Sequence, residues 1–310
     1  MTLDLYRRET LAPSREWVSL QPEERRRRAV VAAASRDVDV LWSLTQAHHT
    51  RRAGVSSAQT LRKYRLGLQR WLTYTAGQAV NVLHPEIEDA DLWIREMESS
   101  GLKPSSVRVY LSGARQLYAA LRWTKATRDD PFTDTKPQKD RTRPHDKRQP
   151  YSEADLVVML ASASLEMRVL LHLGASAGLR ASEITGLTWG ELDLEQATAT
   201  VTGKGRKTRK VLLSGSLVRA LRELGSGAEE QRVIGRTPEA ARKRLQTLCQ
   251  RVNVPYLGLH ALRHAAGTRL IRAGFQLQDV AEHLGHSDVQ TARTYAKWAD
   301  ERLRSHLRQN

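Results

Sequence analysis

Residues 282–295 read EHLGHSDVQTARTY and lie close to the C-terminus of a strongly basic chain. Gly285 is a residue type that often ends a helix, and His286 follows it directly. Tyr295 comes nine positions after His286, in a polar stretch that predicts a short helix. Taken alone, Tyr295 fits a half-buried aromatic residue beside Trp298 as well as it fits a reactive group.

The composition indicates a nucleic-acid partner. The chain has 310 residues, enough for two domains that each bury a core, and its 50 Lys and Arg against 34 Asp and Glu give a formal charge of +16. Solubility does not require such an excess, whereas binding to a polyanion neutralises it. We therefore expect the protein to bind nucleic acid.

Neither a membrane helix nor a secretion signal is predicted. The longest apolar stretch, Leu156–Leu173, is interrupted by polar and charged residues, and the N-terminus lacks the basic-then-apolar order of a signal peptide. We expect a cytoplasmic, nucleoid-associated protein. The single cysteine, Cys249, excludes an internal disulfide and a cysteine metal cluster, and is expected to be a small buried residue on a helix.

The first half of the chain is predicted to be helical. Residues 1–36 form an N-terminal extension, in which Arg25–Arg28 predicts either a solvated helix start or an accessory DNA contact. Residues 37–124 have apolar residues at helical spacing after Ser57 and again after Pro104. This pattern predicts a small all-helical domain.

A proline-rich linker precedes a second domain. Residues 125–150 contain four prolines among basic residues, which predicts an extended basic linker. The domain at 151–310 opens with Ser152, a helix cap with a carboxylate three residues later. Further on, residues 197–201 and 208–213 are predicted to be β-strands joined by a glycine-bearing turn.

Several charged positions could contact a phosphate. Arg180 comes two positions after Gly178 and precedes a predicted helix, where its planar fork suits phosphate oxygens, although a surface pair with Glu183 is the simpler interpretation. His260 and Arg263 share a helix face, although a capping histidine and a surface arginine fit as well. Lys204 lies in GKGRK, which does not have the spacing of a phosphate loop, so ATP use is not expected.

Four motifs, in this order, resemble the tyrosine recombinases, also called the phage integrase family. They span about 170–300 and read AGLRASEITGLTW, VTGKGRKTRKVLL, LHALRHAAGTRLI and EHLGHSDVQTARTY. The first domain is similar to the family's helical core-binding domain through SSAQTLRKYRLGLQRWLTY and KPSSVRVYLSGARQLYAAL. Accidental agreement of four separate motifs, each with its key residue, is improbable.

The resemblance implies a fold, an activity and partners. The expected fold is mainly α with a small antiparallel β-sheet: an all-helical core-binding (SAM-like) domain at 37–124 and a mixed α+β catalytic domain at 151–310, which together form a clamp on double-stranded DNA. The expected activity is site-specific recombination by a homo- or hetero-tetramer, with no metal and no cofactor. The tail after Tyr295 is expected to pack on a neighbouring protomer.

The resemblance also assigns the chemistry. Tyr295 would be the nucleophile that forms a 3′-phosphotyrosine and frees a 5′-hydroxyl. Arg180 and Arg263 would hold the non-bridging oxygens of the phosphate, and Lys204 would protonate the leaving 5′-oxygen.

Supporting roles fall to further residues. His260 would assist proton transfer at the tyrosine, His286 would hydrogen-bond a phosphate oxygen, and Glu183 would orient its neighbours. His264 and His283 flank the motifs, match no catalytic position and are expected to pack or cap. The positions expected to follow the DNA backbone are Arg141, Arg143, Lys147, Arg148, Arg206 and Lys207.

Alternatives remain in two directions. A type IB topoisomerase uses the same kinds of side chain, but the HALRH and LGH motifs favour a recombinase. A basic DNA-binding protein with a decayed active site would have the same positive charge, but the intact set of expected catalytic residues argues against decay. Within the family, the compact two-domain length resembles a Xer-type enzyme that resolves chromosome dimers, although simple integrases of mobile elements share this feature.

Overall fold

The computed structural model describes residues 12–53, 56–140, 149–203, 208–285 and 295–296. The chain forms two compact units, Met1–Arg141 and Thr142–Asn310. The helices of the first unit are α1 (Ala12–Ser19), α2 (Pro22–Ala34), α3 (Val38–Ala53), α4 (Ala58–Gly77), α5 (Ile87–Ser99) and α6 (Pro104–Trp123). None of the helices in the described ranges is long and apolar enough to cross a membrane.

Aromatic packing holds the first unit together. Ser57 caps α4 by accepting the N–H of Thr60, as the sequence predicts, and the helix directs Trp71 into the core. The ring of Trp71 lies 4.9 Å from that of Phe132, and its Nε1 donates to the hydroxyl of Tyr118 at 3.1 Å. Phe132 lies in the stretch predicted as an extended linker, yet it is fully buried in this core.

The N-terminal helices are part of the same core. Trp17 is fully buried and donates its Nε1 to Ser43 Oγ at 2.9 Å. Arg25 donates to the main-chain carbonyls of Trp17, Val18 and Leu20, while the guanidinium of Arg28 lies 4.7 Å from the centre of the Trp17 ring. These two arginines therefore bind the protein itself. A DNA contact by the arginine run stays a prediction.

The second unit contains the sheet. Its helices are α7 (Glu153–Ser162), α8 (Leu165–Ala175), α9 (Ala181–Gly186), α10 (Gly215–Leu224), α11 (Pro238–Arg251), α12 (Leu259–Arg272) and α13 (Leu277–Leu284), with strands β1 (Leu192–Asp193), β2 (Thr198–Thr202) and β3 (Thr208–Leu212). The strands are antiparallel in the order β1-β2-β3, and Thr202 pairs with Thr208. The predicted fold class, mainly α with a small antiparallel sheet, is confirmed.

A local sequence signal sets where helix α7 begins in the second unit. Ser152 Oγ accepts the N–H of Asp155 at 3.0 Å, and the Asp155 carboxylate accepts the N–H of Ser152, so the predicted capping box begins α7.

Cys249 is buried on α11, as expected, with its sulfur 3.7 Å from the hydroxyl of Tyr151. Gly174 of α8 allows close packing on α12, because a Cβ there would lie 2.8 Å from Leu262.

We expect Trp17→Ala to lower the free energy of unfolding of the first unit by about 3–5 kcal/mol, because a large buried side chain is removed and a cavity remains. Chemical denaturation followed by circular dichroism measures this. The matched control is Val18→Ala at the neighbouring position, where the side chain is about half exposed and a change below about 0.5 kcal/mol is expected. Equal effects of the two substitutions would contradict the packing of α1.

Candidate active site

Arg180 precedes helix α9 and is anchored by Glu183. Gly178 turns the chain after α8 with a φ of +71°, a conformation that favours glycine. The carboxylate of Glu183 accepts the backbone N–H of Arg180 at 2.8 Å and its Nη1 at 2.7 Å. The pair that the sequence offered as the simpler reading is thus formed, while 31% of the Arg180 side chain remains exposed.

Glu183 is the centre of a buried ion cluster. Arg209, on strand β3, binds both carboxylate oxygens through Nη1 and Nη2, at 3.1 and 3.0 Å. Burial raises the pKa of Glu183, but hydrogen bonds from Arg209 and Arg180 outweigh this effect and lower the pKa to about 2. Glu183 is therefore a carboxylate at neutral pH.

Arg263 is fully buried. Its Nη1 donates to the carbonyl of Gly178 at 2.7 Å and its Nη2 to the carbonyl of Leu284 at 2.5 Å, and Nη1 lies 3.9 Å from the Glu183 carboxylate. Burial and the neighbouring Arg180 lower the pKa of Arg263 to about 10. The guanidinium still carries its charge at neutral pH.

Three arginines converge on the C-terminal end of helix α13. Arg209 donates its Nε to the carbonyl of His283 at 3.2 Å. Arg180 donates its Nη2 to the carbonyl of Gly285 at 2.8 Å, and Arg263 donates to the carbonyl of Leu284, which lies between these two residues in the sequence. The last carbonyls of a helix lack partners within the helix and carry partial negative charge, so cations stabilise this end. Gly285 has a φ of +64° and ends the helix, as its position predicts.

Tyr295 is packed against helix α12 beside this cluster. Only 1% of the residue is exposed, and Gly267 makes room for it, because a Cβ there would lie 2.7 Å from Cδ2 of the tyrosine ring. The ring of His264 lies 5.8 Å from that of Tyr295, and the ring of His260 lies 4.5 Å from that of His264. Burial raises the pKa of Tyr295, although the charge of Arg263 and a hydrogen bond from it act in the opposite direction.

The structure brings together five of the predicted site residues: Arg180, Glu183, His260, Arg263 and Tyr295. The other predicted site residues lie outside the described ranges, and these are Lys204, His286, Arg141, Arg143, Lys147, Arg148, Arg206 and Lys207. Of the flanking histidines, His264 is buried, as expected for a packing residue.

Arg209 belongs to this ion cluster, although the sequence analysis does not predict it. The alternation of β3 carries a usable signal, because residues 208, 210 and 212 are exposed while Arg209 and Val211 face inward. A charged residue at an inward position of a strand needs a buried partner. The sequence does not reveal that this partner is Glu183.

Comparisons with known proteins place the chain in a family. A sequence model described as "Phage integrase family" matches residues 151–302, and one described as "Phage integrase, N-terminal SAM-like domain" matches residues 47–125. The chain belongs to the tyrosine recombinases. As a member it is an enzyme that cleaves and rejoins DNA strands at specific sites, and neither the topoisomerase nor the non-catalytic alternative is favoured.

Curated relatives of this tyrosine recombinase are similar over most of their length. Tyrosine recombinase XerC of Xanthomonas campestris pv. campestris (strain B100) is 31% identical over 258 residues, covering 77% of this chain and 78% of the relative. Tyrosine recombinase XerD of Rhizobium meliloti (strain 1021) is 29% identical over 273 residues, covering 80% of this chain and 88% of the relative.

Solved structures of similar fold contain DNA. XerH recombinase bound to a palindromic difH substrate has a TM-score of 0.64 at 18% identity, covering 95% of this chain and 92% of that chain. A λ integrase dimer bound to a COC′ core site has a TM-score of 0.65 at 12% identity, covering 82% and 93%. The tyrosine recombinase described here shares this fold.

We expect Gly267→Ala to lower the free energy of unfolding by about 1–3 kcal/mol, because the added methyl group overlaps the ring of Tyr295. Chemical denaturation measures the change. Gly186→Ala is the matched control, since no atom lies within 4 Å of a Cβ at that helical position and alanine there is expected to be neutral or stabilising. A stabilising Gly267→Ala would contradict the close contact with Tyr295.

We expect Glu183→Gln to destabilise the protein in a pH-dependent way. The folded pKa of about 2 lies below the ordinary value of 4.5, so the charged state stabilises the fold above pH about 4.5, and this contribution is lost as the pH falls towards about 2. The difference in unfolding free energy between wild type and variant should be on the order of 3 kcal/mol near neutral pH and shrink in that window.

Denaturation curves at several pH values between about 7 and 3 measure this difference. Glu195→Gln removes an exposed glutamate of the same unit and is the control, with an expected change below about 0.5 kcal/mol throughout. A difference between wild type and Glu183→Gln that does not vary with pH would show that the charge of Glu183 is not what stabilises the fold.

Proposed function

We propose that Tyr295 is the nucleophile of a DNA strand-cleavage site in which Arg180 and Arg263 hold the phosphate. The observation that carries this proposal is the charge of the cluster, in which three guanidinium groups surround one carboxylate beside a buried tyrosine. One carboxylate neutralises only one of the three cations. The surplus positive charge suits a DNA phosphate, which carries one negative charge.

Unused donors on both arginines support this assignment. A guanidinium has five N–H groups. Arg180 donates one to Glu183 and one to Gly285, and Arg263 donates two to main-chain carbonyls and one to Tyr295. The Nε of Arg263 is buried and has no hydrogen-bond partner within the described ranges. We propose that the remaining N–H groups bind non-bridging oxygens and stabilise the charge of the pentavalent transition state.

The proposed reaction is two transesterifications. The Oη of Tyr295 attacks the phosphorus while the bond to the 5′-oxygen breaks, which leaves a 3′-phosphotyrosine and a free 5′-hydroxyl. Because burial raises the pKa of Tyr295, the side chain is a neutral phenol at neutral pH, and His260 is proposed to assist removal of its proton. Lys204 protonates the leaving oxygen, and attack by a 5′-hydroxyl of another duplex reverses the steps.

The wider contacts and the assembly are also proposals. His286 is proposed to hydrogen-bond a phosphate oxygen, and the basic residues at 141–148 and 206–207 to follow the DNA backbone in the nucleoid. The active form is proposed to be a homo-tetramer, or a hetero-tetramer with a related recombinase, with tail contacts after Tyr295. The names XerC and XerD of the curated relatives favour Xer-type dimer resolution over integration or excision of a mobile element.

Covalent trapping tests the reaction. We expect the wild-type protein, and not Tyr295→Phe, to form a denaturation-resistant adduct with nicked suicide duplexes. One set of duplexes comes from the replication terminus of the host chromosome and the other from junctions of its mobile elements. Adducts on the first set alone support the Xer-type role.

Binding of the same duplexes by Tyr295→Phe is the control, because the variant loses only the hydroxyl group. An adduct formed by Tyr295→Phe would exclude Tyr295 as the nucleophile. Tight binding without an adduct on either set, both alone and with a related recombinase of the same host added, would contradict the proposed cleavage.

A further inference from the structure

Arg209 takes no part in the proposed chemistry, yet its side chain joins several parts of the site. Its Nη1 and Nη2 bind the two oxygens of Glu183, and its Nε binds the carbonyl of His283. All three nitrogens of the guanidinium thus donate to the protein itself. The side chain is only 15% exposed, compared with 31% for Arg180. This geometry indicates that Arg209 binds groups of the protein itself rather than a DNA phosphate.

The guanidinium of Arg209 fits closely against the end of helix α13. A Cβ at Gly285 would lie 2.9 Å from Cδ and 3.0 Å from Nε of Arg209. Glycine at this position therefore serves both the positive φ and the close approach of the arginine. A shift of Arg209 would disturb the carbonyls at this helix end, including the Gly285 carbonyl to which Arg180 donates.

The backbone of Arg209 is fixed by the sheet. Arg209 pairs with Val201 in the antiparallel ladder, and Val201 is buried. Strands β2 and β3 flank the segment that contains Lys204 in the sequence. The Arg209 side chain therefore connects the strand beside this segment to the carboxylate that anchors Arg180.

We infer that Arg209 is a positioning residue for strand cleavage: it holds Glu183 and the end of α13 in the arrangement that orients Arg180 towards the phosphate. This inference rests on the proposed function. Lysine cannot replace Arg209, because an ammonium group does not reproduce the planar bidentate contact to the carboxylate together with the third bond to His283.

The test compares Arg209→Lys and Arg209→Met with wild type in single-turnover adduct formation at saturating protein. Affinity for the same duplex is measured separately by fluorescence anisotropy at several salt concentrations. We expect Arg209→Lys to slow adduct formation about 10–100-fold, with Arg209→Met at least as slow. The dissociation constant should change less than about 3-fold, and its salt dependence should remain that of wild type, because no phosphate contact is lost.

A double variant separates positioning from general stability. If Arg209 acts through Arg180, the rate of Arg180→Lys with Arg209→Lys should be close to that of Arg180→Lys alone. Lys210→Met removes an exposed charge from the next position of the same strand and is the matched control, with an adduct rate within about 2-fold of wild type. Thermal unfolding of each variant is recorded alongside.

Three results would overturn the inference. Wild-type rates for both Arg209 variants would remove any role in cleavage. A reduced salt dependence of binding would identify Arg209 as a phosphate contact instead. Multiplicative losses in the double variant, in step with lowered melting temperatures, would reduce the role of Arg209 to stability. The proposed function fails separately, if wild type forms no adduct or Tyr295→Phe forms one.

Discussion

The ion cluster around Glu183 is the interaction on which the rest of the site depends. An unpaired carboxylate in a protein interior costs several kcal/mol, and three guanidinium groups placed together without an anion would repel one another. The carboxylate and the three guanidinium groups therefore stabilise one another. Glu183 allows Arg180, Arg209 and Arg263 to share one region, and the arginines keep Glu183 ionised.

The same cluster organises the backbone. The three arginines donate to the carbonyls of three consecutive residues, 283–285, where helix α13 ends. A helix C-terminus attracts cations, and these bonds replace the hydrogen bonds that the helix itself cannot supply. The cluster thereby ties helices α9, α12 and α13 and strand β3 together. Side chains held by such a network are already oriented, and preorganised donors of this kind reduce the reorganisation that a reaction needs.

Short-range features of the fold and the site could be predicted from the sequence, whereas long-range contacts could not. The Ser152 cap, the Gly285 helix end and the pair of Arg180 with Glu183 each depend on residues at most three positions apart. The bond between Arg209 and Glu183 joins residues 26 positions apart, one on strand β3 and the other on helix α9. A single sequence carries no signal for such a pairing.

The first unit shows the same limit. Trp17 and Phe132 lie in segments that read as an extension and a linker, since an arginine run and scattered prolines dominate their composition. Both side chains are nevertheless buried in one core, where Trp17 bonds Ser43 and Phe132 packs on Trp71. Composition describes the average of a segment. A single aromatic side chain can fold a segment of polar composition into the core, because burial of the ring contributes several kcal/mol.

The proposed function offers a reason for the number of arginines in the cluster. With a single arginine at Glu183, the carboxylate and the incoming phosphate would compete for the same donors, and an arginine held fully by the carboxylate could not serve the reaction. Arg209 satisfies both carboxylate oxygens, so Arg180 needs only one of its Nη groups for Glu183. Arg263, which is fully buried, supplies charge where water cannot screen it. One arginine thus neutralises the anchor, and in the proposed function the other two supply donors and charge to the DNA phosphate.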